Sequence, residues 1–389
     1  MEENKQGLKP AYSFEFPVIR EQALCGGDTA SDETQPLASP DQPFVSGTIS
    51  TPAGPVPQVT SVLTRQDRWG TIKARLGVWR MNYAIDPGLY ALNSPDAESP
   101  VLVTANYKLS FDRLRSSLPG RDAWILVLDT KGINVWCAAG KGTFGTLELL
   151  KRIAASGLAR VVNHKKLILP QLGAPGVAAH QIRKFSGFKV YFGPVRAEDL
   201  PAYLDAGLAA DEAMRRVTFG LADRAVLIPI ELTATVKPFV ILSLAFLLAA
   251  GLLGRAGFLT NVLHDGLLAV LAFFLAIVAG AVLSPLMLPW LPGRAFSVKG
   301  FSIGLLIALA LIIMSGADLR SWAGRVEALA WLMIIPAVSA YLAMNFTGAS
   351  TYTSLSGVKK EMRLALPLEI AAGVLGLVVW MASLVISWT

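Results

Sequence analysis

Apolar residues follow two different rhythms along the chain. Between about 61 and 228 they come in short β-rich runs separated by stretches of helical period. "AWILVLD" (123–129) and "INVWCA" (133–138) read as strands, and "KLILP" and "FKVYFG" as two more. "GTFGTLELLKRIAASG" reads as a helix with Phe144, Leu147, Leu150 and Ile153 along one side, and "GVAAHQIRKFSG" and "RAEDLPAYLDAG" continue the alternation. Strands alternating with helices predict an α/β sheet with ligand sites at strand ends. Beyond 228 the pattern becomes five long apolar runs, 236–254, 266–288, 301–314, 328–346 and 364–388, of which the third is shortest. With their flanks each reaches roughly 20 mainly apolar residues, enough for a hydrocarbon core of about 30 Å. Residues 1–60, rich in Pro, Ser, Thr, Asp and Gly, show no sustained period; they predict a disordered lead with "YSFEFPVI" as a docking segment. The expected organisation is therefore 1–60 disordered, 61–228 α/β and 229–389 transmembrane.

Composition agrees with a hybrid. The chain is 53% hydrophobic with a mean hydropathy of +0.49, too apolar for an ordinary soluble protein. The start, "MEENKQGLKPAYSFEF", lacks the apolar core of a secretory signal, so the α/β domain is expected in the cytosol and the protein in the inner (cytoplasmic) membrane as a multi-pass protein. On that orientation the inner loops carry Arg294, Lys299, Lys359, Lys360 and Arg363, with Lys237 flanking the first span, against Arg255, Arg320 and Arg325 outside. Five spans put the C-terminus outside and make 345–361 an inner loop, either a docking surface or a solvated connector. Glu369 is the main charge within the spans and is expected to be partnered by a hydroxyl; so little charge gives no obvious ion pathway and argues against a transporter. Two cysteines, Cys25 and Cys137, are too few for a disulfide framework, a cysteine-rich zinc site or an iron–sulfur cluster.

The chemistry concentrates in "GINVWCAAGKGTFG" (132–145), for which three readings stand open. Gly140, Gly142 and Gly145 spell G-x-G-x-x-G, a dinucleotide fingerprint, but about 20 residues on, where an acidic residue belongs, stands "ARVVNHKK"; only an NADP reading, through Arg160 or Lys165, survives. A P-loop fails, because Gly142 follows Lys141 where Ser or Thr is needed. The second reading is structural, with Cys137 a small buried hydrophobe and Trp136 core. The third makes Cys137 a metal ligand, its thiolate favoured by a helix dipole and by Lys131 and Lys141. One cysteine cannot hold a bare ion, yet it can supply an axial bond to a metal already held by a macrocycle, as in thiolate-ligated haem.

"NVWCAAGK" (134–141) matches the signature of the membrane-bound corrinoid proteins of microbial mercury methylation, the HgcA type, and the chain resembles that family from about 65 to its end. "DPGLYALNSPDAESPVLVTANYKLSFDRLR" (86–115), "LILPQLGAPGVAAH" (167–180), the five apolar runs and "SGVKKE" carry the resemblance further. It implies an α/β Rossmann-like corrinoid-binding domain followed by an all-α five-helix transmembrane domain. It implies that Cys137 is the lower axial ligand of cobalt, presented on a cap helix formed by Asn134, Val135, Trp136, Ala138, Ala139, Gly140 and Lys141, so that the residues just before Cys137 begin a helix rather than end a strand. "VTANYK", with Thr104 and Asn106, and "PQLGAPG", with Gln171, Gly173 and Gly176, resemble corrinoid-contacting loops of the related acetyl-CoA pathway protein, although turn glycines alone also account for Gly173 and Gly176. The implied activity is corrinoid-dependent methyl transfer to Hg(II), with a thiolate donor pushing electron density toward the methyl group. The alternative acceptor makes the chain a methyl carrier of one-carbon metabolism.

The resemblance also implies partners. The acetyl-CoA pathway relative carries its own four-cysteine cluster and this chain has none, so an anaerobic ferredoxin-like 4Fe-4S protein is expected as electron donor and Hg(II) carrier, together with a methyl-donor methyltransferase and the bilayer. A docking face for an acidic partner or for anionic headgroups is available between 141 and 196, where ten Lys and Arg accompany Glu148 as sole acid; a generic solvated face is the plain alternative. Nucleic acid is not expected, since no binding motif or aromatic platform accompanies that charge. Cys137 is committed to cobalt and Cys25 stands alone, so no mercury site is written in the chain, and His164, His180 and His264 form no spaced ligand set.

Overall fold

The computed structural model describes residues 38–347 and 355–386. Cys25 and "YSFEFPVI" lie outside the described residues. The α/β domain is built on one seven-stranded sheet in the order β1-β2-β3-β5-β4-β6-β7. Its strands are β1 Gly47–Thr51, β2 Gly54–Val59, β3 Gly88–Leu92, β4 Val101–Ala105, β5 Ala123–Leu128, β6 Lys166–Leu169 and β7 Lys189–Phe192. The sheet begins well before 61. β1 and β2 form an antiparallel hairpin whose second strand runs parallel to β3, so 38–60 is not a disordered lead. The alternation of half-buried and exposed side chains along β1 is a strand signal that the Pro- and Gly-rich composition outweighed.

β4, β5, β6 and β7 are mutually parallel where they pair, whereas β3 is antiparallel to β5, so the sheet is mixed rather than purely parallel. Two helices, α1 Arg65–Arg75 and α2 Lys108–Ser116, precede β5. α3 Val135–Lys141, α4 Thr146–Ala155, α5 Ala179–Ser186 and α6 Leu200–Asp205 follow it. The central strands are buried on both faces, as helix-covered parallel strands must be. Val101, Val103, Leu126 and Leu128 face α3, α4 and α5 through Ala138, Leu149, Ile153 and Ile182. Leu102, Ile125 and Val127 face α2 and α6 through Phe111, Leu114 and Tyr203. The path from β4 steps to β5 on one side and then returns across β4 to β6 and β7 on the other. Such a reversal leaves a crevice at the C-terminal ends of β4 and β6. In α4 the buried residues are Leu149, Arg152 and Ile153, and Leu147 is exposed; Gly145 caps the helix, so Phe144 precedes it and does not set its face.

A buried ion-pair network ties the outer helices together. Asp67 binds Lys108 and Arg115 at 2.7 Å each, and Asp112 binds the same two cations at 2.7 and 2.8 Å. Burial pushes the Asp67 carboxyl up, but hydrogen bonds from Lys108, the Thr64 backbone and Arg115 outweigh it and hold the group well below the usual carboxylate range.

Five helices long and apolar enough to cross a membrane follow: α7 Ile228–Leu253, α8 Phe258–Leu286, α9 Phe296–Met314, α10 Trp322–Met344 and α11 Leu355–Ile386. α9 starts before 301 and takes in Lys299, whose Nζ donates to the Leu288 and Leu291 carbonyls at 2.8 Å, so that charge is not free in a loop. α11 likewise absorbs 355–361 of the expected polar loop, and 348–354 lie outside the described residues. Small residues let the helix backbones approach: a Cβ on Gly300 or Gly280 would stand 2.5 or 2.6 Å from the Ser339 carbonyl oxygen, and Ser339 Oγ donates to the Gly300 carbonyl at 2.7 Å.

Replacing Asp67 with Asn is expected to cost about 3–5 kcal/mol at neutral pH, because Arg115 is left buried with one of its two carboxylate partners gone. The folded-state depression of the Asp67 carboxyl stabilises the chain fully above about pH 4 and that contribution is lost on further acidification. Chemical denaturation of the full chain should therefore show the gap between wild type and D67N narrowing below that pH.

Candidate functional site

α3 is a seven-residue helix with both ends specified locally. Asn134 caps it, its Oδ1 accepting the Cys137 N–H at 2.9 Å, and Gly142 ends it in the left-handed conformation at φ 81°. The six residues read as a strand, "INVWCA", therefore turn into a helix one residue after the cap, as the family resemblance implied and the β-rich composition did not. Val135, Ala138 and Ala139 are buried against the sheet, while Trp136, Cys137, Gly140 and Lys141 point outward. Cys137 is an exposed free thiol, which overturns the buried-hydrophobe reading; Trp136 is 42% exposed and is not core.

The loop that delivers α3 is held by Asn106. This buried side chain follows β4, and its Oδ1 accepts the N–H groups of Thr130 and Gly132, each at 3.0 Å. Lys131 and Gly132 both take positive φ, 59° and 69°, a sharp turn that these hydrogen bonds stabilise. Lys131 is paired with Asp129, which raises its pKa and commits it there rather than to Cys137. Asn106 thus orders the chain ahead of the thiol.

From the other side, the turn 171–176 packs on α3. A Cβ on Gly176 would stand 2.1 Å from the Phe144 carbonyl oxygen and 3.1 Å from Ala139 Cα, and one on Gly173 would stand 2.5 Å from the Phe144 ring. These glycines are close-approach positions against the cap helix, neither simple turn residues nor contacts that point away from the protein. Gln171 differs: its Oε1 is buried and has no hydrogen-bond partner among the described residues.

A cavity of about 290 Å³ lies beside α3 at the strand-end crevice, lined by Thr104 of β4, Asn134, Val135 and Trp136 of the cap, and Pro170 and Leu172 after β6. The structure brings Thr104, Asn134, Val135 and Trp136 together there. Ala138 and Ala139 lie beneath, and Cys137, Gly140 and Lys141 stand on the outer face. Nothing occupies the 4 Å around the position a Gly140 Cβ would take, so the space over the helix is open. The dinucleotide reading loses its context: Gly140 lies inside α3 and Gly142 at its C-terminus, where a phosphate would meet the negative end of the dipole.

Of the ten cations between 141 and 196, Arg152 is buried on Glu148 and Arg196 is paired with Asp223. The other eight, Lys141, Lys151, Arg160, Lys165, Lys166, Arg183, Lys184 and Lys189, are exposed. Sequence reasoning missed the space-filling role of Phe144, fully buried between the cap and the 171–176 turn; its one signal was an aromatic residue between two glycines. Among the described residues no group of three metal-ligating side chains is present.

A family model for the CO dehydrogenase/acetyl-CoA synthase delta subunit matches residues 79–204, the segment that holds β3 to β7, α3 and the cavity. The acetyl-CoA decarbonylase/synthase complex subunit gamma of Methanothermobacter thermautotrophicus is 34% identical over 128 residues, 32% of this chain and 28% of that protein. Its counterparts in Archaeoglobus fulgidus and Methanopyrus kandleri are 31% and 30% identical over 140 and 123 residues, covering 35% and 31% of this chain and 29% and 26% of theirs. The chain thus spans less than a third of the length of these relatives. The likeness to an acetyl-CoA pathway subunit, expected from "VTANYK" and "PQLGAPG", is found, and the family model matches within the α/β domain.

Gly176→Ala is expected to destabilise the chain by about 1–3 kcal/mol, since the atoms it meets are backbone. Gly140→Ala, in open helix, should instead stabilise by about 0.4–1 kcal/mol. Thermal melts of the two variants side by side check whether packing at 176 fixes α3.

Proposed function

We propose that residues 38–220 form a corrinoid-binding domain, anchored by the five apolar helices, that carries a methyl group in one-carbon chemistry of the acetyl-CoA type. The observation that carries this reading is the exposed Cys137 thiol on a capped helix beside the strand-end cavity. The likeness of 79–204 to acetyl-CoA synthase subunits supports the same ligand class. When bound, a corrinoid supplies a cobalt centre able to carry methyl.

The residues present fit such a ligand. Cys137 offers a soft, solvent-facing sulfur with no competing partner on its helix face, and the thiolate is the form that ligates metal. Thr104, Asn134 and Trp136 line a cavity that suits a side arm of the ligand, whereas a macrocycle is too large for it and belongs on the open face of α3. The unpartnered Gln171 Oε1 supplies a buried acceptor near the turn that braces the cap. Asn106, Gly173 and Gly176 act as positioning residues, through the 129–133 loop and through Phe144. The eight exposed cations form a face suited to an acidic redox partner such as a ferredoxin-like iron–sulfur protein, with the methyl group supplied by a separate methyltransferase. On this reading the five apolar helices anchor the domain on the cytoplasmic side of the inner membrane, an orientation supported by the Lys and Arg that the sequence puts in the loops of that side.

A finer reading, with Hg(II) as methyl acceptor, rests on "NVWCAAGK" and on the accessibility of its cysteine. Cys137 would hold such a cofactor through an anionic sulfur, and a bound corrinoid with that donor would supply methyl suited to an electrophilic acceptor such as mercuric ion.

Reconstitution of the full chain with a corrinoid under anaerobic conditions tests both levels. Cys137→Ala should abolish the thiolate-dependent features of the cobalt absorption spectrum, and an unchanged spectrum refutes the ligand role. Supplied with Hg(II), reductant and a methyl donor, wild type should form methylmercury and Cys137→His should retain corrinoid but lose that product. Methyl uptake without methylmercury in the wild type leaves the carrier reading and removes the mercury one.

A further inference from the structure

The helical region holds a second cavity, of about 430 Å³, between α7, α8, α10 and α11. We propose that it binds an apolar molecule carrying a single cationic amine, with Glu369 of α11 as the counter-ion. Both carboxylate oxygens of Glu369 are buried, and neither has a hydrogen-bond partner among the described residues, so the expected hydroxyl partner is not there. A second carboxylate, Glu231 of α7, stands in the same wall and accepts from Asn345 Nδ2 at 3.0 Å. No Lys or Arg lines the cavity. The wall therefore offers Glu369 no cationic side chain, and an ionisable side chain within a span is costly unless something of opposite charge meets it.

The remaining lining decides the class of cation. Phe273, Leu342 and Ile370 make most of the wall apolar, which suits a hydrocarbon body rather than a hydrated ion. Hard metal cations are held mainly by clustered carboxylates, and beside Thr235, Tyr341 and Asn345 this wall has only two, one of them engaged by Asn345; no group of three metal-ligating side chains occurs among the described residues. Two of the polar groups, Glu231 and Asn345, lie at helix ends, and Glu369 lines the same cavity from within α11. Glu231 lies in the first turn of α7 and Asn345 caps the C-terminus of α10. An amphiphile entering there keeps its amine at the polar end and its tail along the helices. This site is independent of α3, and its ligand need not take part in methyl chemistry.

The test uses the full chain in phosphatidylcholine nanodiscs, with decylamine, decanol and decanoate added at matched concentration and thermal unfolding as readout. Decylamine should raise the melting temperature well above the shift produced by decanol, and decanoate should give none. Glu369→Gln should weaken the apparent affinity for decylamine by about tenfold or more. Equal shifts with the amine and the alcohol, or an amine shift that survives E369Q, overturn the proposal in favour of a neutral acid in a lipid-filled groove. Should E369Q not fold, the comparison of the three probes on wild type decides alone.

Discussion

The placement of one short helix governs the α/β domain. Seven residues cannot hold a helix by themselves, because nucleation is unfavourable and few hydrogen bonds form to offset it. α3 persists because its surroundings determine it at every end: Asn134 binds the Cys137 N–H, Asn106 fixes the turn at 130–132, and Gly173 and Gly176 let a second chain segment lie directly on Phe144 and Ala139. The outcome is a face of Trp136, Cys137, Gly140 and Lys141 held outward on a rigid base. A thiol on a mobile loop would lack that fixed direction, and a thiol one position later, at Ala138, would be buried.

Much of this was legible in the residues, and where it was not the reason is physical. β5 and β6 were readable because a strand buried on both faces must be a continuous apolar run. The same logic misread "INVWCA", whose apolar, β-branched residues mimic such a run; the helix signals were an Asn before it and a Gly after it, each weak alone. The hairpin at 47–59 was hidden by its composition, since an edge hairpin buries only one side and tolerates Pro and Gly. The functions of Asn106, Gly173 and Gly176 could not be read at all beyond their nearness to a site. What they touch, the 130–132 amides and Phe144, lies 24 to 32 positions away in sequence, and only the fold brings them together.

In the helical region the legible part was length and apolarity, and the illegible part was charge. Lys299 was counted as a loop residue, yet it lies inside α9 and spends its ammonium on two carbonyls at the end of α8 and the turn beyond. Glu327 of α10 meets Trp331 Nε1 at 3.2 Å. Each of these polar groups has a partner within the protein, in keeping with the cost of burying one unpaired among apolar helices. Glu369 alone among them is buried at both oxygens with none, and it is also the one that borders a cavity.

The two halves of the molecule thus differ in how they treat polar side chains that end without a partner. In the α/β domain the exposed thiol of Cys137 stands on the helix whose Asn134, Val135 and Trp136 line the crevice, Gln171 with its orphaned acceptor belongs to the turn packed against that helix, and the exposed cations are spread over α3, α4, α5, β6, β7 and the segments between them. That arrangement suits a large ligand approached by other proteins, because the reactive side of the helix stays accessible while the crevice grips from the edge. A deep pocket would hold a ligand more tightly but would close the route to a redox partner or a methyl acceptor. Rigidity beneath and openness above are both needed if one thiol is to serve a ligand that must repeatedly meet separate partners, and the close packing of 171–176 beneath an open Gly140 supplies both.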